Sequence, residues 1–195
     1  MDIGPASRET PGAAPAMKAI HRQKDSWPAV LRAFLRPVPW RQTGVAFLSS
    51  LLMAACYPKM DWGVACFIAL IPLFLAAWFL LPRVAFWVGW ATGFVFHLLS
   101  LYWLGHVTVP GLVILSFYLG IYWALWCALV SALAPGHDVL KSTANIRLGA
   151  ASAAGWVVLE WVRAHFMTGF PWNLLGTALY REAPLIQIAD LGGVY

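Results

Sequence analysis

At 195 residues, 61% of them hydrophobic and only 11% charged, with a mean hydropathy of +0.71, the chain is too apolar for an ordinary water-soluble domain and reads as an all-α membrane protein. Its twelve Trp, eleven Phe and six Tyr exceed what one small soluble core hides, whereas a bilayer solvates apolar faces and takes Trp and Tyr at its interfaces. The net charge of +5 is concentrated in residues 1–43, where seven Lys/Arg face Asp2, Glu9 and Asp25; with no base-stacking or groove-entering element there, the expected partner is an anionic membrane surface and not a nucleic acid.

Residues 1–25, rich in Pro, Gly, Ala and charge, are expected to form a disordered basic tail on the cytoplasmic side. From Ser26 the pattern changes. Ser26 can cap, Pro28 suits a first turn, and Trp27, Val30, Leu31, Phe34 and Leu35 recur on one face with Arg32 and Arg36 opposite. Residues 26–42 therefore read as a short basic amphipathic helix and linker, lying on the membrane or packed on a partner, and stopped by Pro37 and Pro39.

Five apolar segments follow, expected at 43–57, 62–81, 84–104, 111–133 and 146–167, against the roughly 20 helical residues that a bilayer core of about 30 Å requires. The first is short and relies on Trp40, Arg41 and Tyr57 as interfacial anchors. The connections are tight enough to make successive spans antiparallel neighbours in one bundle over 43–167. A cytoplasmic N-terminus collects ten basic residues on that side, including Arg83, Lys141 and Arg147, and leaves Lys59, Arg163 and Arg181 on the other. Residues 168–195 then form a periplasmic loop and the start of a further span. Stripes of small residues, Ala85-Gly89-Gly93 and Ser116-Gly120-Ala124-Ala128-Ala132, together with the Gly149–Gly155 run, predict close helix packing.

Chemistry-bearing residues are few. Cys56, Cys66 and Cys127 lie inside apolar runs, and the five His share no ligand spacing, so neither a metal site nor a cofactor is expected. His97 lies mid-span on the small-residue face, either as a helix-to-helix hydrogen-bonding residue or as a functional polar group. Glu160 and Arg163, at i and i+3, share a helix face with Glu160 about 10 Å inside the apolar limit. They form either a local ion pair, Arg163 snorkelling toward the headgroups, or a polar site where a lipid headgroup docks. Directly after them, Thr168-Gly169-Phe170-Pro171-Trp172-Asn173 breaks the helix and offers two aromatic rings at headgroup depth, and Tyr102 and Trp103 sit at the same level.

The ordered set Tyr57-Pro-Lys-Met-Asp61-Trp62, Ile71-Pro72-Leu73, Leu101-Tyr102-Trp103, Trp156-Val-Val-Leu-Glu160-Trp-Val-Arg163, Thr168-Gly-Phe-Pro-Trp172 and Pro184 to Tyr195 closely resembles the membrane half of bacterial apolipoprotein N-acyltransferase over roughly residues 43–195. The resemblance implies a multi-pass inner-membrane enzyme that moves an acyl chain from a phospholipid to the N-terminal cysteine amine of a diacylglyceryl lipoprotein. It also implies that the chemistry belongs to a periplasmic nitrilase-like domain with a Glu, Lys and Cys triad. Such a domain is absent from these 195 residues, so no catalytic residue carries over, and the chain alone is expected to be inactive, with a separate nitrilase-like polypeptide as a partner. What carries over is Gly169, Phe170, Pro171 and Trp172 at the mouth of the substrate cavity, with Glu160 and Arg163 behind them and Tyr102 and Trp103 beside them. A non-catalytic scaffold or lipid-binding remnant is the alternative.

Overall fold

The computed structural model describes residues 40–134 and 142–195, among which there are helices, turns and no strand. The tail expected over 1–25 lies outside them, as does the helix expected over 26–42 apart from its last three residues, which open the first helix. That helix, α1, is Trp40–Ala55. A 3₁₀ turn, Gly63–Ala65, runs into α2, Cys66–Ala69, and α3, Ile71–Phe79. Then come α4, Pro82–Ser100, a 3₁₀ turn at Tyr102–His106, α5, Val109–Leu133, and α6, Ser142–His165. A 3₁₀ turn, Leu175–Leu179, and two short helices, α7 (Ala183–Ile186) and α8 (Ala189–Gly192), close the chain.

Local chemistry explains where these elements start and stop. Thr108, extended, accepts from the Gly111 N–H at 3.3 Å, and Pro110 occupies the first turn of α5, where its missing donor costs nothing. Among the described residues, α5 is the one helix both long and apolar enough to cross a membrane by length and composition. The segment expected as one span over 62–81 is instead divided at Leu70. Pro72 cannot donate to the preceding turn, and the Leu73 N–H is taken by the Ser49 hydroxyl of α1 at 2.9 Å, so a new helix starts there.

The Ala85-Gly89-Gly93 and Ser116-Gly120-Ala124 stripes do what their spacing predicts, whereas the Gly149–Gly155 run leaves Gly149, Ala150, Ala153 and Ala154 exposed, and a Cβ on Gly149 would meet nothing within 4 Å. A Cβ built on Gly89 would lie 2.6 Å from Cys127 Sγ and 2.8 Å from the Trp123 carbonyl oxygen. One on Gly93 would lie 2.6 Å from Trp123 Cγ, and one on Gly120 2.9 Å from the Trp90 carbonyl oxygen. Helices α4 and α5 therefore touch nearly backbone to backbone along this seam. Gly89→Ala should push them apart and cost about 1–3 kcal/mol through overpacking. Thermal unfolding of the purified protein in detergent checks this, an unchanged midpoint being the contrary result.

Buried hydroxyls and indoles tie the remaining elements together. Ser50 Oγ donates to the Thr92 carbonyl at 2.7 Å, Ser131 Oγ to the Leu80 carbonyl at 2.5 Å, and Trp126 Nε1 to the Ser152 carbonyl at 2.8 Å. Trp156 of α6 packs edge-on against Trp123 and Trp126 of α5, at 5.4 and 5.2 Å between ring centroids. Around this apolar core the polar and apolar residues divide unusually. Ser49, Ser50, Thr92, His97, Ser116, Glu160 and Arg163 are buried, while Phe67, Ile114, Phe117, Val158 and Trp161 are more than half exposed.

Candidate functional site

The sequence-predicted residues converge at one end of the bundle, where α6 stops. Met167 and Gly169 take left-handed backbone, with φ of 58° and 70°. The Gly169 N–H donates to the Phe166 carbonyl at 3.0 Å and the Phe170 N–H to the Arg163 carbonyl at 2.9 Å, which satisfies carbonyls that the last turn leaves without partners. The chain then doubles back. Phe170 and Trp172 stack with ring centroids 6.3 Å apart, and Trp172 meets Trp103 at 5.3 Å. Pro171 and Trp172 are exposed, Gly169 and Phe170 half-buried, so the loop presents an aromatic platform built from two distant parts of the chain.

Tyr102, the neighbour of Trp103, does not join this cluster. Its ring faces His106 at 6.5 Å and carries the Lys59 ammonium 3.5 Å above its centroid. Close by in sequence to Lys59, Asp61 receives the Tyr180 hydroxyl at 2.7 Å and the Arg181 guanidinium at 2.6 Å. The Tyr180 hydroxyl and then Asp61 raise the Arg181 pKa above its ordinary value.

Glu160 and Arg163 lie beneath the platform. Their side chains are 6% and 3% exposed and 3.8 Å apart, so Arg163 turns inward and does not snorkel to the surface. Glu160 Oε1 accepts from the Leu175 N–H at 2.8 Å, and Arg163 Nη2 donates to the Asn173 carbonyl at 3.2 Å. Arg163 Nη1 lies 3.4 Å from His97 Nε2. The pair thus grips the backbone of the returning loop, which is more than an ion pair at a helix end would do.

Three further residues belong to this grip, and sequence reasoning missed them as site residues. Tyr57 donates its hydroxyl to the Leu174 carbonyl at 3.0 Å, and Asn173 Nδ2 donates to Ser100 Oγ at 2.9 Å. Tyr57 was legible as an interfacial anchor and as the start of a family-like motif, Asn173 as the end of the helix-breaking run, and a lone Ser100 carries no signal. On its other side Glu160 borders an apolar cavity of about 700 Å³ lined also by Cys66, Ile71, Trp156, Leu175 and Tyr195. Cys56, Cys66 and Cys127 are buried free thiols, and among the described residues no three His, Cys, Asp or Glu side chains gather as a metal would require.

Residues 49–195 match the sequence profile of a family described as "Apolipoprotein N-acyltransferase N-terminal domain". The chain is 37% identical over 166 residues to an apolipoprotein N-acyltransferase from Geobacter metallireducens, a match that covers 81% of this chain and 31% of that protein. It is similar to proteins of the same name from Chromobacterium violaceum, at 33% identity over 65% of this chain and 26% of the relative, and from Azotobacter vinelandii, at 30% over 85% and 33%. The chain therefore spans about a third or less of the length of these curated relatives.

Proposed function

The chain belongs to the apolipoprotein N-acyltransferase family, and on that premise we propose that it is the membrane portion of an enzyme that moves an acyl chain from phospholipid to the N-terminal cysteine amine of a diacylglyceryl lipoprotein. The observation that carries this reading is the family match over residues 49–195, which spans α2 to α8, the C-terminal part of α1 and the whole Thr168–Trp172 loop. The buried polar groups and exposed apolar ones support a membrane setting, because lipid favours that distribution and water does not. In this reading α1, the divided α2–α3 segment, α4, α5 and α6 are five spans of a bacterial inner-membrane bundle with a cytoplasmic N-terminus and with residues 168–195 on the periplasmic side.

Within that frame the aromatic platform of Phe170, Trp172 and Trp103 sits at the mouth of the substrate cavity. Gly169 and Pro171 shape the turn, Tyr102 flanks it, and Glu160 and Arg163 hold it from below. The apolar cavity behind Glu160 has a lining suited to acyl chains. In this reading the acyl-bearing nucleophile belongs to a nitrilase-like part outside these 195 residues, and the buried thiols of Cys56, Cys66 and Cys127 take no part in the transfer.

The test is expression in a strain depleted of its own N-acyltransferase, with mass spectrometry of lipoprotein N-termini. The chain alone should leave them diacylated, and co-expression with a nitrilase-like half should produce triacylated termini; triacylation by the chain alone, or none with the partner, contradicts the reading. Trp172→Ala in the co-expressed pair should lower triacylation at equal membrane abundance. Equal acylation would return Trp172 to the role of an interfacial anchor.

A further inference from the structure

We propose that His97 and Tyr57 are positioning residues, which hold the Phe170–Trp172 platform in place by fixing the backbone of residues 173–175; their bearing on acyl transfer rests on the functional reading above. Three consecutive residues, the last of them opening the Leu175–Leu179 3₁₀ turn, each offer one backbone group to a buried side chain. The Asn173 carbonyl goes to Arg163 of α6, the Leu174 carbonyl to Tyr57 just beyond α1, and the Leu175 N–H to Glu160 of α6. Leu174 is 3% exposed, and while Thr177 supplies two local donors to its carbonyl, Tyr57 is the donor that ties it to a distant part of the chain.

His97 acts one step further back. Its Nδ1 lies 2.7 Å from the Gly93 carbonyl of its own helix. A carbonyl oxygen only accepts, so Nδ1 carries the hydrogen and Nε2 is left as a lone pair. The ring is held edge-on to Phe96 at 4.8 Å and to Trp123 at 6.3 Å, with no exposed surface. The lone pair therefore points in a fixed direction, and Arg163 Nη1 lies opposite it at 3.4 Å. Because the guanidinium is a rigid planar fork, anchoring Nη1 on His97 sets where Nη2 reaches, and Nη2 is the donor to Asn173. Asn173, with φ of 55°, passes this constraint along the chain to Trp172 and, through Ser100 at the end of α4, to the level of Trp103.

Three charge-neutral variants test the proposal through hydrogen–deuterium exchange of the full chain in lipid nanodiscs. Tyr57→Phe keeps the ring against Phe96, 5.9 Å away, and removes only the hydroxyl. His97→Ala removes the fixed acceptor, and His97→Gln returns an acceptor oxygen. Loss of one buried tether should raise exchange across 170–177 by about tenfold in Tyr57→Phe and His97→Ala, with α4 and α5 unchanged and His97→Gln closer to the parent. Unchanged loop exchange in Tyr57→Phe overturns the proposal, and so does a rise spread equally through α4 and α5, which marks a general packing defect. Should His97→Ala fail to accumulate, Tyr57→Phe and His97→Gln decide. Exchange is read without any acyl transfer, so its outcome is independent of whether the co-expressed pair is active.

Discussion

Arg163→Ala is expected to destabilise the protein by about 3–5 kcal/mol, the usual cost of removing one partner from a buried ion pair. Glu160 would remain 6% exposed with its counter-charge gone, and the Asn173 carbonyl and His97 Nε2 would lose their donor together. Thermal unfolding in detergent and the folded fraction in membranes measure the loss. Arg163→Lys should recover part of it at most, since one ammonium cannot reproduce a fork that reaches two acceptors on opposite sides. The double variant Glu160→Gln, Arg163→Met removes both charges and should regain most of the stability while leaving the Asn173 carbonyl untethered. If that variant also keeps parental loop exchange, the pair stabilises the helix and does not hold the loop.

Gly169→Val should cost about 2–5 kcal/mol, from a strained backbone and an overpacked contact together. Gly169 sits at φ +70°, and a Cβ there would collide with the backbone carbonyl of Ala164. That carbonyl belongs to the last turn of α6 and cannot swing away as a flexible side chain would. Gly169→Asn separates the two causes, because Asn tolerates left-handed backbone and still carries the colliding atom. Both variants should lower the unfolding midpoint. A parental midpoint in Gly169→Asn would assign the requirement to backbone conformation alone.

Much of this arrangement was legible where the signal is local or periodic. The Gly89-Gly93 and Ser116-Gly120-Ala124 stripes announced the α4–α5 seam because four-residue spacing maps directly onto one helix face. The Gly169-Phe170-Pro171 break announced the end of α6 for an equally local reason. The divided second segment was misread as one helix. Pro72 was visible, but its effect depends on Ser49 of α1 being in place to take the Leu73 N–H. The spacing left Arg163 either snorkelling toward headgroups or facing a polar site, and only the folded chain shows that it turns inward, with His97, 66 positions earlier, beside it. The Tyr57 tether joins residues 117 apart, and no periodicity or spacing rule encodes a contact of that separation.

That long separation has a consequence for how the molecule is made. Tyr57 leaves the ribosome 117 residues before Leu174, about 6–23 s earlier at ordinary synthesis rates. In that interval α4 and α5, joined by a short turn, have time to pair, because helix formation and local docking take microseconds to milliseconds. The grip on residues 173–175 therefore closes after α4 and α5 have paired. Until residues 173–175 are made, Glu160 and Arg163 have each other and His97, and lack the Leu175 N–H and the Asn173 carbonyl that complete their hydrogen bonds.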